Sequence, residues 1–316
     1  MLAENRGKTA VLLPCYNEGL TIGRTVRQFR QALPSAEIWV FDNNSSDDTV
    51  AEARKAGARI CHVRQQGKGH VVRCMFQKID ADYYIMADGD ATYPAEEAPV
   101  LLKPLQEGIA DMTVGDRLSG TYGAENKRKF HHFGNLLVCR LIGFLFHQKI
   151  TDVMSGYRAF NHKFVKSCPV LSNGFEIETE LTLHALDKRM SLIEIPVTYR
   201  DRPAGSFSKL NTYSDGFRVL KTIFRLFKDY RPLLFFTSLG MLLLLGALAL
   251  FLPVFSEYLH SGLVPRFPTL ICSAFLAVAG LQCITCGFIL DSIKRYTDQL
   301  FELECMKAAA SRETVS

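Results

Sequence analysis

Two charge-free runs, residues 233–252 and 267–290, constrain this chain more than any other feature. They hold twenty and twenty-four residues. At about 1.5 Å rise per residue, either is long enough as a helix to cross a hydrocarbon core of about 30 Å. With only residues 256–266 between them, they read as a transmembrane hairpin within 232–290, with spans of about 233–255 and 267–290. Lys221, Arg225, Lys228 and Arg231 precede the first run, and Lys294 and Arg295 follow the second. The connection carries Arg266 and His260 against Glu257. This asymmetry predicts that the large N-terminal domain and both termini are cytoplasmic. Residues 1–8 are polar and the apolar stretch 10–13 is too short for a signal core, so no leader is expected.

Just before the hairpin, Phe217, Leu220, Phe224 and Phe227 form an apolar stripe beside a basic one of Arg218, Lys221, Arg225 and Lys228. That pattern predicts an amphipathic juxtamembrane helix over 213–231, lying among anionic headgroups. Residues 291–316 are left as a cytoplasmic tail, helical over 291–307. The nine cysteines are scattered, four of them (Cys272, Cys283, Cys286, Cys305) in or after the second run, and read as reduced structural thiols. A net charge of +5 is too mild to imply a nucleic-acid partner, and the basic stripe facing the membrane accounts for it.

Residues 1–212 alternate between strand and helix patterns. Strands are expected at 10–13 (ended by Pro14), 37–41, 58–63, 83–87 and 192–197. Helices are expected at 21–33, 50–56, 70–79, 127–147 and 176–188. In the helix at 127–147, Phe130, Phe133, Leu137, Leu141 and Phe144 fall on one face, and Lys127, Arg128, Lys129, His131 and His132 crowd the start, which suits either a core-facing helix or one lying at a membrane surface. Repeated strand and helix imply a parallel sheet covered on both faces, with ligands at the carboxyl ends of its strands. Three polar clusters fall at those ends: Tyr16-Asn17-Glu18, residues 42–48, and Asp88-Gly89-Asp90. Two carboxylates one residue apart can share a hard divalent cation through oxygen ligands.

Taken in order, these segments resemble family 2 glycosyltransferases of the GT-A fold. More narrowly, they are similar to polyprenyl-phosphate hexosyltransferases of the dolichol-phosphate mannose synthase type and to bacterial polyprenyl-phosphate glucosyltransferases with a C-terminal hairpin. Val11-Leu12-Leu13-Pro14-Cys15-Tyr16-Asn17-Glu18 resembles the opening strand and nucleotide loop. Asp42 stands where the family recognises the base, and Gly67-Lys68-Gly69 and Asp88-Gly89-Asp90 match a glycine turn and the metal motif. Gly115-Asp116-Arg117 resembles Gly-Ser-Arg, whose arginine faces phosphates. Asp152 with Ser155-Gly156-Tyr157-Arg158 resembles the acceptor-side signature, as do Arg202, Gly205, Ser206, Ser208 and Lys209, which are one residue longer at Phe207. There are two further departures. Asp42-Asn43-Asn44-Ser45 replaces Asp-Asp-Gly-Ser, and Thr92 stands where dolichol-type relatives carry a glutamine.

The resemblance implies an α/β GT-A catalytic domain with a Rossmann-like, mostly parallel sheet. It implies inverting transfer of a hexose from a nucleoside-diphosphate sugar to a polyprenyl monophosphate, the alternative being a membrane glycosyltransferase with a different acceptor. UDP-glucose is the favoured donor, with GDP-mannose and UDP-N-acetylhexosamine as alternatives. It implies Mg2+ or Mn2+ at Asp88 and Asp90. The nucleotide sugar would be bound by Pro14, Tyr16, Asn17, Glu18, Asp42, Lys68, Asp88, Gly89, Asp90 and Arg117. The acceptor phosphate would meet Arg117, Arg128, His132, Arg202 and Lys209, with Asp152, Asp90 and Arg202 at the chemistry. A phosphate acceptor is already anionic near neutral pH, so Asp152 is expected to orient or shape the site rather than take a proton. A homo-oligomer, tetrameric by resemblance, in the inner membrane of a prokaryote completes the expectation. A processive polysaccharide synthase would carry Gln-x-x-Arg-Trp, but the sole tryptophan, Trp39, lies inside a strand. A soluble acceptor would not require the hairpin, and a non-catalytic scaffold has no use for acids at three strand ends.

Overall fold

The computed structural model describes residues 7–118, 129–174, 176–200, 224–225 and 227–313, with the side chains of 129–134 and 308–313 excepted. The chain divides into two compact units, Met1–Phe217 and Arg218–Ser316. The first unit is built on a seven-stranded sheet. In chain order its elements are β1 (Thr9–Cys15), α1 (Ile22–Ala32), β2 (Glu37–Asp42), α2 (Thr49–Lys55), β3 (Arg59–His62), α3 (Lys68–Lys78) and β4 (Tyr83–Met86). There follow α4 (Ala98–Gln106), β5 (Met112–Asp116), α5 (Lys129–Phe146), β6 (Arg158–Asn161), α6 (His162–Ser167), α7 (Ile177–Asp187) and β7 (Leu192–Pro196).

The strand order is β3-β2-β1-β4-β6-β5-β7, and only β6 runs against its neighbours. The expected strands are present and the sheet is mostly parallel, as the resemblance implied, but β5 and β6 were not legible as strands. The reversal of β6 positions the site. Its entry lies at the edge where β4 and β5 end, so the loop before Arg158 joins the loops after the parallel strands. β1 is central, with Ala10, Val11, Leu12 and Leu13 fully buried, as expected for a strand covered on both faces. It continues through Pro14 to Cys15, pairing Pro14 with Phe41 instead of stopping there. Ile22, Val26 and Phe29 of α1 pack on this sheet with Tyr157 and Leu101. Each such side chain contributes about 1.5–3 kcal/mol by leaving water.

Of the apolar face expected for α5, Leu137 and Leu141 are half-buried, and the side chains of Phe130 and Phe133 lie outside the described residues. Asn135, Val138, Cys139, Ile142 and Leu145 point inward, whereas Phe144 is 66% exposed. The helix is turned by polar bonds: Asn135 Nδ2 donates to Asp152 Oδ1 at 3.1 Å, and Cys139 Sγ approaches Thr151 O at 3.5 Å.

The second unit holds α8 (Pro232–Ser261) and α9 (Phe267–Glu313), both long and apolar enough to cross a membrane. They are antiparallel neighbours by virtue of the short turn and meet through glycine. A Cβ on Gly240 would sit 2.7 Å from Gly280 O, and one on Gly280 would sit 2.9 Å from Gly240 O. Small residues allow this backbone approach between membrane helices. α8 runs past the expected end of its span to Ser261 and is capped by Gly262 at φ +67°, shortening the connection to 262–266. Glu257 and Arg266 pair across that turn at 2.8 Å. α9 is 47 residues long, so the tail expected after 290 is a continuation of the span helix. Cys283 and Cys286 lie on it with a Cys-x-x-Cys spacing that a reading of scattered thiols overlooks; both are free. Residues 224–225 and 227–230 are helical, and Phe224 and Phe227 meet Phe235 edge-on at 5.0 and 5.6 Å. The rest of the expected interface stripe lies outside the described residues.

Candidate active site

The carboxyl ends of β1, β2 and β4 carry the three polar clusters, and side chains staple their loops together. Asn17, at φ +53°, donates its backbone N–H to Ser45 Oγ at 2.9 Å and accepts the Ser46 N–H at 2.8 Å. The Glu18 N–H donates to Thr49 Oγ1 at 2.8 Å. Asp42, the last residue of β2, is 3% exposed. Its carboxylate accepts the Ser45 N–H at 3.2 Å and lies 3.1 Å from His62 Nδ1. Pro14 is half-buried within β1, while Tyr16 is exposed at the mouth.

The glycine turn is packed rather than merely tight. Gly67 has φ +134°, and a Cβ there would stand 2.1 Å from Asn173 O; at Gly69 it would stand 2.0 Å from Ser172 O. The loop pressed against it is fixed by Arg73 Nε to Val170 O at 2.7 Å, and by Glu180, which accepts the Leu171 and Ser172 N–H groups at 2.7 and 2.8 Å. Between the two glycines, Lys68 Nζ reaches Asp88 Oδ1 at 2.5 Å and Glu178 Oε1 at 2.6 Å. Burial would lower the lysine's pKa, but the two carboxylates outweigh it and raise it.

The Asp88-Gly89-Asp90 loop is held from below. Thr21 Oγ1 donates to Gly89 O at 2.8 Å, and a side chain at Gly89 would collide with Cys15 Sγ at 2.5 Å. Asp90 is 3% exposed, and its Oδ1 accepts Thr92 Oγ1 at 2.6 Å and Thr92 N at 3.2 Å. Thr92, which stands where dolichol-type relatives carry a glutamine, therefore orients the second acid. Asp88 keeps 30% exposure and faces Gly156, where a Cβ would lie 2.7 Å from Asp88 Oδ2. The donor set is hard oxygen, and Asp88 already accepts a cation of its own chain, so the loop fits Mg2+ or Mn2+ held by Asp88 and Asp90. Among the described residues, no cluster of three or more His, Cys, Asp or Glu side chains forms an all-protein cage. Such an ion would therefore rely on two acids, with remaining ligands from substrate or water.

A second group lies beside the first. Arg117, just past β5, forks onto Asp152 with Nε to Oδ2 at 2.7 Å and NH2 to Oδ1 at 3.0 Å. Asp152 is fully buried and also accepts Asn135 Nδ2 and the Met154 N–H. Burial alone would raise its pKa; Arg117 outweighs that and holds it below the ordinary value. Glu194 of β7 fixes the loop by accepting the Thr151 and Asp152 N–H groups at 2.9 Å. Arg117 stacks over Tyr199 at 5.5 Å, Tyr199 meets Tyr93 edge-on at 5.4 Å, and the Tyr93 hydroxyl accepts the Gly156 N–H at 3.0 Å. Packed side chains thus link the Asp152–Arg117 pair to Asp88.

Sequence reasoning brought these residues together but missed several that hold them. Glu178, Tyr93, Thr21 and Glu194 carried no local signal, since each acts on a residue distant in sequence. Arg158, read with the acceptor signature, is instead fully buried beneath it, donating to Ser155 O, Val153 O and Thr182 Oγ1. Burial lowers its pKa to about 10, with Glu178 and Asp152 acting the other way. Arg128, Arg202 and Lys209, and the side chain of His132, lie outside the described residues.

The family model for Glycosyl transferase family 2 matches residues 10–168. Glycosyltransferase AglJ of Haloferax volcanii is 32% identical over 284 residues, covering 90% of this chain and 92% of its own length. The dolichyl-phosphate hexose transferase of that organism is 29% identical over 222 residues, covering 70% of this chain and 95% of its own. Glucosyl-3-phosphoglycerate synthase of Mycobacterium tuberculosis, solved with Mn2+, uridine diphosphate and phosphoglyceric acid, aligns with a TM-score of 0.56 and 21% identity over 71% of this chain and 78% of that one. This last likeness is one of fold.

Proposed function

The chain belongs to glycosyl transferase family 2, and from that premise we propose that it transfers a hexose from a nucleoside-diphosphate sugar to a polyprenyl monophosphate. One observation carries the reading: a single chain joins acids at the carboxyl ends of β1, β2 and β4 to two helices of membrane length. The relative named as a dolichyl-phosphate hexose transferase supports the acceptor class. UDP-glucose is the donor we favour, because the C-terminal hairpin resembles the bacterial glucosyl branch. We also propose the cytoplasmic face for the reaction, from the basic residues flanking the spans, and a homo-oligomer by resemblance.

The chemistry follows from the acceptor. A phosphate monoester has a second pKa near 6, so its attacking oxygen is anionic at about neutral pH and needs no strong base. Asp152 suits this, because its carboxylate is committed to Arg117 and to Asn135. It acts by fixing the guanidinium, whose planar fork binds phosphate oxygens well. Arg128, His132, Arg202 and Lys209 are proposed to relieve repulsion between acceptor phosphate and donor diphosphate. A divalent cation held by Asp88 and Asp90 would neutralise charge on the departing nucleoside diphosphate. Tyr16, Asn17, Glu18 and Asp42 shape the nucleotide end, and in-line displacement inverts the anomeric carbon.

The test supplies membranes containing the full chain with a panel of radiolabelled sugar nucleotides, together with either polyprenyl phosphate or free polyprenol. Label should enter lipid only with polyprenyl phosphate and only from one nucleotide sugar. Efficient transfer to polyprenol or to a soluble sugar would overturn the phosphate-acceptor reading.

A further inference from the structure

Lys68 lies at the junction of three acidic or glycine-rich elements, and its geometry describes an exchange rather than a fixed strut. Its base cannot move, because Gly67 and Gly69 are pressed against the Asn173 and Ser172 carbonyls. Its ammonium bridges two unlike partners. Glu178 is 7% exposed and deep, whereas Asp88 is 30% exposed and belongs to the metal motif. A divalent cation on Asp88 would share a carboxylate with an ammonium now 2.5 Å from the same group, and the two like charges repel each other there. Asp88 is the freer of the two partners, being 30% exposed with its Oδ2 against the bare backbone of Gly156. Glu178 is shut in at 7% exposure, and a buried carboxylate that loses a cationic partner is costly.

We propose that Lys68 is an internal counter-cation of the Asp88-Gly89-Asp90 loop. It bridges Asp88 to Glu178 before the donor binds and exchanges Asp88 for the donor diphosphate when a divalent cation enters. Glu178 is the positioning residue that retains the ammonium through the exchange. The inference rests on the nucleotide-sugar reading of the site and adds a competition to it. Lys68 opposes cation binding in the free protein and favours nucleotide binding once the cation is in place. Those two effects have opposite signs, which a merely structural lysine would not produce.

The experiment uses the full chain in detergent and reads free Mn2+ by electron paramagnetic resonance, first alone and then with uridine diphosphate or guanosine diphosphate. Lys68→Met should bind Mn2+ roughly tenfold more tightly without nucleotide, the scale on which close charge pairs couple. It should bind nucleoside diphosphate more weakly with Mn2+ saturating. Glu178→Gln leaves the ammonium to Asp88 alone and should weaken Mn2+ binding. Because Lys68→Met strands a buried acid, the charge-matched Lys68→Met/Glu178→Gln variant is tested too and should share the tighter Mn2+ binding. Unchanged or weaker Mn2+ binding in that folded double variant overturns the exchange. Mn2+ binding by the wild type that is lost in Asp90→Asn but indifferent to Lys68 sinks this inference alone. No Mn2+ binding by the wild type sinks the metal reading of the site with it.

Discussion

Replacing Asp152 with asparagine separates a strut from a proton acceptor. The carboxylate is fully buried and forked by Arg117 at 2.7 and 3.0 Å, with Asn135 and the Met154 N–H on the same oxygens. An asparagine keeps the shape but turns an NH2 group toward a guanidinium donor and leaves Arg117 without its counter-charge. Removing one partner of a buried pair costs about 3–5 kcal/mol. For a domain of this size that is a drop in melting temperature of roughly 6–20 °C. Trp39, the only tryptophan, sits in β2 of the same unit, so its fluorescence follows the unfolding. Asp152→Asn/Arg117→Met removes both charges and should regain most of the melting temperature while staying inactive. The pH dependence has a fixed sign. Arg117 holds the folded pKa of Asp152 below the unfolded value of about 3.9, so the pair's stabilisation is complete above that value and fades as pH falls through the folded pKa. The gap between wild type and Asp152→Asn should therefore be flat near neutrality and close only in acid. A melting temperature within about 2 °C of wild type, alongside a collapse in kcat, would refute the strut and make Asp152 a proton acceptor.

Asp90→Asn should abolish turnover while the fold survives, because Thr92 still finds an oxygen to donate to, whereas an amide offers a hard cation no anionic ligand; retained activity in the presence of a chelator would show the site misplaced. Gly69→Ala should fail to fold or lose several kcal/mol, roughly the range of severe strain, because the new methyl meets backbone at Ser172 O. Gly156→Ala meets side chains, those of Asp88 and Lys68, rather than backbone, so its melting curve should stay near wild type while Mn2+ binding weakens; equal melting losses in the two variants would contradict the packing argument. A reporter cysteine at Gly262 should react with an impermeant label from outside intact cells, and one at Ser316 should not; the reverse would invert the topology.

What the sequence made legible was local. Apolar runs ending in polar clusters located β1, β2 and β4 and hence the acids at their ends, since a parallel strand announces both its burial and its carboxyl edge. The charge-free runs announced α8 and α9 for the same reason. The pairing that completes the site is not local. β6 is four residues long and runs against its neighbours, and nothing in its composition says that its entry loop will be brought to Asp88. On α5, hydrophobic spacing ranked Phe144 above Asn135, while a buried acid, Asp152, reversed that ranking. Asn43 shows the same logic at the departure from Asp-Asp-Gly-Ser. Its amide donates to Val63 O at 3.0 Å and Gln65 O at 2.7 Å and accepts the Gly67 N–H at 2.7 Å. A carboxylate could accept from Gly67 but would face two carbonyls with nothing to donate. The amide therefore ties the end of β2 to the turn that presents Lys68, and the second acid of the family pattern is absent because this chain uses that position to hold the glycine turn in place.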